Sequence, residues 1–179
     1  MTRRGRRRLF ELRADESGAT AIEFSLVALP FFAFVYGIIL LGMYFFTTFS
    51  LENALERASR VIRTGEAQKA NMTEVQFKNR VCSFLPTFIS CENKLIVSVR
   101  SFSEADLTPP VTRDDCLTEG SLSDLTTYSP GTANQVVLVT LCYQWDFANK
   151  LPFINLSDMN GGARLIQAAS IFRTEPYMD

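Results

Sequence analysis

From Gly18 to Phe49 the chain reads GATAIEFSLVALPFFAFVYGIILLGMYFFTTF, and between Glu23 and Glu52 it carries no charge at all. About 20 consecutive apolar residues in a helix cross the hydrocarbon core of a bilayer, so Phe24 to Phe49 is long enough to span it with some tilt. The other home for such a helix is the centre of a soluble core, and the basic segment that precedes it argues against that. One acid breaks the pattern: Glu23 stands at the mouth of the apolar run. An ionised carboxylate facing hydrocarbon is expensive and normally has a partner or a task. At the headgroup boundary it would instead be an ordinary first-turn acid that favours the positive end of the helix dipole. Position alone leaves both readings open.

The charge of the protein is unevenly spread. The first 18 residues hold six arginines (3, 4, 6, 7, 8 and 13) against Glu11, Asp15 and Glu16, a net +3, whereas the remainder is at −4 within a total of −1. Arginines flanking one end of a membrane helix mark its cytoplasmic side, which predicts an N-terminus inside and residues from about Ser50 onward exported. Read alone, the basic leader resembles a nucleic-acid arm, but topology already accounts for its charge. A cleaved secretory signal has an apolar region of about 7–15 residues ending at an A-x-A-like site. This run is longer and passes into the charged helical sequence Leu51-Glu52-Asn53-Ala54-Leu55-Glu56-Arg57.

The helix is predicted to continue past the membrane. Leu51, Leu55, Ala58 and Ile62 recur at helical spacing, Glu56 and Arg60 form a candidate i,i+4 pair, and Gly65 is a left-handed stop. Pro30, inside the apolar run, removes one backbone donor and is expected to bend or locally melt the helix. Gly37 and Gly42 would permit close helix contact. Thr73 and Gln76 make a capping-box pattern for a short helix with Val75, Phe77, Val81 and Leu85 on its apolar side, ended by Pro86.

Three strands are expected to follow. Leu95, Val97 and Val99 share one face of the first. In Val136–Phe147, Val137, Val139, Leu141, Tyr143, Trp145 and Phe147 face one way, and Thr140, Cys142, Gln144 and Asp146 the other. The third is Ala163–Thr174, with Ile166, Ala168 and Phe172 aligned, after the turn signal Asn160-Gly161-Gly162. Between the first two lies a long stretch, Ser103 to Ala133, rich in Pro, Ser, Thr and acids. The element order predicts an α+β fold: a long N-terminal helix, membrane in its first half, and a short helix packed on a three- to four-stranded antiparallel sheet. The domain plan is a leader at 1–18, the long helix at 19–65 and an exported domain at 66–179.

The four cysteines, Cys82, Cys91, Cys116 and Cys142, all fall on the side predicted to be exported, where an oxidising compartment lets them pair. Three connectivities are possible. Closing local segments favours Cys82–Cys91 with Cys116–Cys142, and buried free thiols are the alternative. Zinc-finger and C-x-x-C spacings are absent, and the chain has no histidine. Without histidine there is no ready general base near neutral pH. No P-loop, dinucleotide fingerprint or G-x-S-x-G elbow occurs, so no catalytic site, cofactor or metal is expected. Asp114, Asp115, Glu119 and Asp124 form an acidic loop that lacks the EF-hand pattern and reads as solvated. The stripe of Tyr143, Trp145 and Phe147 is either a binding platform or, at strand spacing, a core face.

The segment Gly18-Ala19-Thr20-Ala21-Ile22-Glu23-Phe24 resembles the processing site of type IV prepilins, and more narrowly that of the TadE-like pseudopilins of tight-adherence (Tad/Flp) pili. Ser25-Leu26-Val27-Ala28-Leu29-Pro30 resembles the small-apolar run of that family, which ends in proline. The likeness is close from Glu16 to Gly42 and loose beyond, chiefly in Arg173-Thr174-Glu175-Pro176-Tyr177. It implies a pilin-like fold and cleavage by a prepilin peptidase between Gly18 and Ala19, which would leave 161 residues. Glu23 then becomes the fifth residue and neutralises the new α-amine of Ala19, in its own or a neighbouring subunit, with Phe24 leading the helix into the bilayer. The implied partners are inner-membrane lipid, the prepilin peptidase, other pilin and pseudopilin subunits and the pilus assembly platform, with no nucleic acid. The implied place is the bacterial inner membrane, crossed once, with the C-terminal domain periplasmic and the subunit in or at the base of a pilus used for assembly and adhesion. A different class of reading is an uncleaved signal-anchored binding or sensor domain.

Overall fold

The apolar run lies in a single helix, α1 (Ala19–Arg63), 45 residues long. The structure, a computed structural model, describes residues 18–102, 116–123, 127–150 and 154–177. The chain divides into two compact units between Ile39 and Leu40, so α1 contributes to both. In the first unit the helix is apolar all round and uncovered. Ile22, Phe24, Leu26, Val27, Leu29, Phe31 and Phe34 are exposed, and only 6% of the most apolar 18-residue window of α1 is buried. The helix runs on past Pro30, which lacks the N–H of its own rung, so no local melting occurs there. A helix with no polar face belongs in a core or a membrane, and here no core of its own chain covers it.

In the second unit α1 acquires a face. Leu51, Ala54, Leu55, Ala58, Val61 and Ile62 are buried at 3- and 4-residue spacing against the sheet. The Glu56–Arg60 pair does not close; among the described residues the ion pairs are Arg63–Glu175 and Lys94–Asp146. Gly65 ends the helix in the left-handed region, at φ 77°, and its N–H donates to the Ile62 carbonyl at 3.1 Å. The C-terminal segment locks this end. The Glu175 N–H donates to the Arg63 carbonyl at 2.8 Å, Lys69 lies 5.9 Å from the centre of the Tyr177 ring, and that ring rests directly on Gly65. Thr174, buried, receives the Gln135 N–H and donates to the Thr132 carbonyl. The loose C-terminal likeness noted in the sequence thus falls on the segment that fastens the end of α1.

A short turn of helix, α2 (Glu66–Lys69), leads to α3 (Glu74–Ser83). Its capping box is complete: the Gln76 N–H donates to Thr73 Oγ1 and the Thr73 N–H to Gln76 Oε1. Phe77, Val81 and Leu85 are buried as expected, but Val75 is 67% exposed. Two positions before Phe77 is about 200° around the helix, so Val75 falls on the opposite side. After α4 (Cys91–Lys94) come β1 (Leu95–Phe102), β2 (Leu117–Thr118), β3 (Ser121–Leu122), β4 (Val136–Trp145) and β5 (Arg164–Arg173).

The principal sheet is antiparallel in the order β1-β4-β5, with Leu95 opposite Tyr143 and Trp145 opposite Arg164. Leu95, Val97 and Val99, with Val137, Val139, Leu141, Tyr143, Trp145, Ile166 and Ala168, form its core face beneath α1 and α3. Phe147 departs from the stripe. β4 ends at Trp145, Phe147 enters a turn whose Lys150 N–H donates to the Phe147 carbonyl at 3.1 Å, and its ring is 46% exposed. The reverse face also departs from an alternating pattern. Leu138, Thr140 and Cys142 are buried there, because Cys116–Cys142 holds the β2–β3 hairpin beside a second core with Met159, Ala163 and Leu165. Cys82–Cys91 ties α3 to α4. Both bridges are those favoured by local closure. The hairpin lies inside the stretch read as a long loop, most of which falls outside the described residues.

Two glycines separate backbone strain from packing. A Cβ at Gly161 (φ 73°) meets nothing within 4 Å, whereas one at Gly65 falls 2.5 Å from the Tyr177 ring. Gly161→Ala should therefore cost about 1–2 kcal/mol for the left-handed backbone alone, and Gly65→Ala distinctly more. Denaturant titration of the detergent-solubilised chain by circular dichroism checks the ranking.

Candidate functional site

The residues that the sequence singles out lie at the first turns of α1. Gly18 immediately precedes the helix and is exposed, with φ outside the left-handed region and no atom within 4 Å of an added Cβ. Nothing in its own fold requires glycine there. The same open space surrounds Gly42, and Gly37 is half-buried.

Glu23 is the fifth residue of α1, outside the first turn, which holds no acid. The dipole-capping reading therefore loses its geometry, since that effect fades beyond the first turn. Ala19 and Glu23 stand at i and i+4, on one face of the helix. Helical side chains lean toward the N-terminus, which directs the Glu23 carboxylate over the turn that begins with Ala19. Glu23 is exposed, belongs to neither of the ion pairs formed among the described residues, and has Ile22 and Phe24 as exposed apolar neighbours. It is an acid in apolar surroundings with no cation paired to it among the described residues.

Polar groups farther along the run are satisfied differently. Ser25, Thr47, Thr48 and Ser50 each donate a hydroxyl to a carbonyl three or four residues back, at 2.7–3.0 Å. Closing hydroxyls onto their own helix leaves no hydrogen-bonding demand toward a nonpolar surrounding. Glu23 has no such internal solution.

A second polar group lies where α1 meets the sheet. The Tyr44 ring packs edge-on against Trp145 with centres 5.3 Å apart, and the Arg164 guanidinium lies 5.4 Å from the centre of the Tyr44 ring. Beside them Lys94, which precedes β1, pairs with Asp146, which follows β4, and Gln144 also donates to Asp146. The hydrogen bond to Asp146 is the main reason the Lys94 ammonium is held above its ordinary range, with burial opposing. Burial works against ionisation of Asp146, but the hydrogen bonds from Lys94 and Gln144 and the Lys94 charge outweigh it and hold the carboxyl below its usual range. Only the strand register reveals this pair, because Leu95 opposite Tyr143 brings the two ladder ends together.

Among the described residues no cluster of three metal-ligating side chains exists, and all four cysteines are in disulfides. Of the loop acids, Asp114, Asp115 and Asp124 lie outside the described residues. Glu119 sits in a turn at φ 52°, its carbonyl accepting from Asn160 Nδ2.

Compared with known proteins, residues 18–60 match the family of TadE-like proteins. The matched stretch contains the junction at Gly18, Glu23, the uncovered half of α1 and most of its covered half. The match covers 43 of the 179 residues and makes the chain TadE-like over its N-terminal helix. No curated protein and no solved structure matches the chain.

The Lys94–Asp146 pair predicts a pH dependence. A depressed Asp146 pKa contributes stability that is present above the unfolded value and is lost as pH falls through the folded one. Asp146→Asn should lower stability at pH 7 by no more than about 1 kcal/mol, as is usual for a partly exposed pair. The difference from the parent should begin to shrink as pH falls through the unfolded value of about 4 and vanish only below the depressed folded value, where Asp146 is protonated in both states. At the alkaline end the raised Lys94 pKa works the other way, and the contribution is lost as pH rises past the lysine range. Thermal melts across pH, parent against variant, test both signs.

Proposed function

We propose that this chain, TadE-like in its N-terminal helix, is a minor pseudopilin of a Tad-type pilus, a structural subunit and not an enzyme. It enters the inner membrane as a precursor with its arginine-rich leader in the cytoplasm and its C-terminal domain outside. The two disulfides of that domain accord with an oxidising compartment. Prepilin peptidase hydrolyses the Gly18–Ala19 peptide bond, water supplying the hydroxyl of the new carboxylate and a proton of the new amine. The amine, protonated, then begins a helix whose flanks are apolar. In low dielectric an unpaired charge is costly, and an opposite charge at hydrogen-bonding distance offsets much of that cost.

The observation that carries this reading is Glu23. It is exposed, one turn from the future amine, and without a paired cation among the described residues. The product of cleavage supplies the missing charge, either within the subunit or from a neighbour that packs against the uncovered half of α1. Gly18 supports the same reading, because the chain itself gives no packing or backbone reason for glycine there. A side chain at that position would meet none of the described residues, which leaves the site open to a peptidase.

Replacement of Gly18 with tryptophan should leave insertion intact and trap a slower-migrating, uncut precursor on a gel. A product of normal size would refute the cleavage site. Glu23→Ala should still insert and still be cut, yet assemble into pili poorly. Pilus yield equal to the parent's would remove the charge-pairing role and leave the signal-anchored domain as the better reading.

A further inference from the structure

The exported domain carries an aromatic rim at the level where α1 reaches the end of its membrane span. Starting from Phe24, about 20 residues exhaust the hydrocarbon thickness near Met43. Just beyond, Phe46 packs on Phe88 with ring centres 5.6 Å apart, Tyr44 packs on Trp145, and Trp145 lies 5.9 Å from Phe147. Phe88 comes from the loop after α3 and Phe147 from the turn after β4, separate parts of the chain that converge on one end of the domain. Phe46, Phe88 and Phe147 remain 52%, 59% and 46% exposed.

We propose that this rim is a lipid-contacting foot, through which the exported domain rests in the interfacial zone of the same bilayer that α1 crosses. The inference rests on the membrane reading of α1, with which the rim is continuous through Phe46 and Tyr44. Tryptophan and tyrosine favour this zone; Trp145 and Tyr44 stand behind the exposed phenylalanines, whose rings supply the apolar surface that would enter it. The local charge is complementary to lipid phosphates. Lys150, in the same turn as Phe147, is exposed and belongs to no ion pair among the described residues, and Arg164 caps Tyr44. Asp146, next to Phe147 in the chain, is neutralised by Lys94. Basic side chains beside buried aromatics strengthen attachment to an anionic membrane surface.

Trp145 is the sole tryptophan of the protein, which makes the test direct. The full-length chain is reconstituted into vesicles of phosphatidylcholine and phosphatidylglycerol, with and without lipids brominated near the headgroup end of the acyl chain. Three single-tryptophan versions in a Trp145→Phe background carry Phe88→Trp, Phe147→Trp or, at the far end of β5, the exposed Ile171→Trp. Tryptophan at 88 and at 147 should be blue-shifted and lose emission in brominated lipid, while that at 171 shows neither effect. The unaltered chain, in which no folding change arises, should lose Trp145 emission as well. Loss at 88 and 147 no greater than at 171 would overturn the proposal. So would a blue shift without quenching at every protein-to-lipid ratio, since a second copy would then cover the rim. Vesicle flotation separates the two levels of failure: a chain that does not float refutes the membrane reading of α1, and one that floats unquenched refutes only the foot.

Discussion

The structure depends on the fact that the first half of α1 cannot be satisfied by its own chain. From Ile22 to Phe34 large apolar side chains point outward in every direction around the helix axis, and transfer of such surface out of water stabilises by roughly 25 cal/mol per Å². Some other nonpolar medium has to supply that gain. Lipid and neighbouring helices of the same kind both qualify. Within that medium every polar atom needs a partner. The serines and threonines of the run find theirs on the helix backbone, and Glu23 does not.

The second half of α1 shows the same helix under the opposite condition. Past Leu40 it gains a buried stripe, and the sheet, α3 and the C-terminal segment are all fitted to it. Gly65 permits the chain to leave the helix, and Tyr177 closes over the space that its missing side chain leaves. The Arg63 carbonyl, otherwise an orphan at the helix end, is taken by the Glu175 N–H. The two disulfides act on either side of the sheet, one joining α3 to α4 and the other holding the hairpin against the reverse face.

Much of this was legible in the sequence, because its signals are local. The apolar run, the left-handed stop at Gly65, the capping box at Thr73 and Gln76, and the alternation in β1, β4 and β5 each act over a few residues. What escaped depends on contacts distant in the chain. Phe147 obeys the alternation yet lies beyond the last ladder pair, so only the register shows that it leaves the strand. Thr140 and Cys142 looked like a solvent-facing side, and the Cys116 disulfide covers them. Val75 is apolar but on the wrong side of α3. Of the candidate site, Glu23 stood out as the one acid at the mouth of the apolar run, and Gly18 entered only through the likeness of residues 18–24 to a prepilin processing site. That Glu23 lies beyond the first turn, and that Gly18 answers to nothing inside the fold, required the helix boundary and the surrounding space.

In the proposed function, the cation that pairs with Glu23 is an amine that exists only after the leader is removed. The most direct measurement is the N-terminal residue of the protein recovered from the membranes and pili of the cells that make it, read by Edman degradation or intact mass. The account predicts a chain that begins at Ala19. Recovery of the working protein with its arginine-rich leader still attached would contradict it.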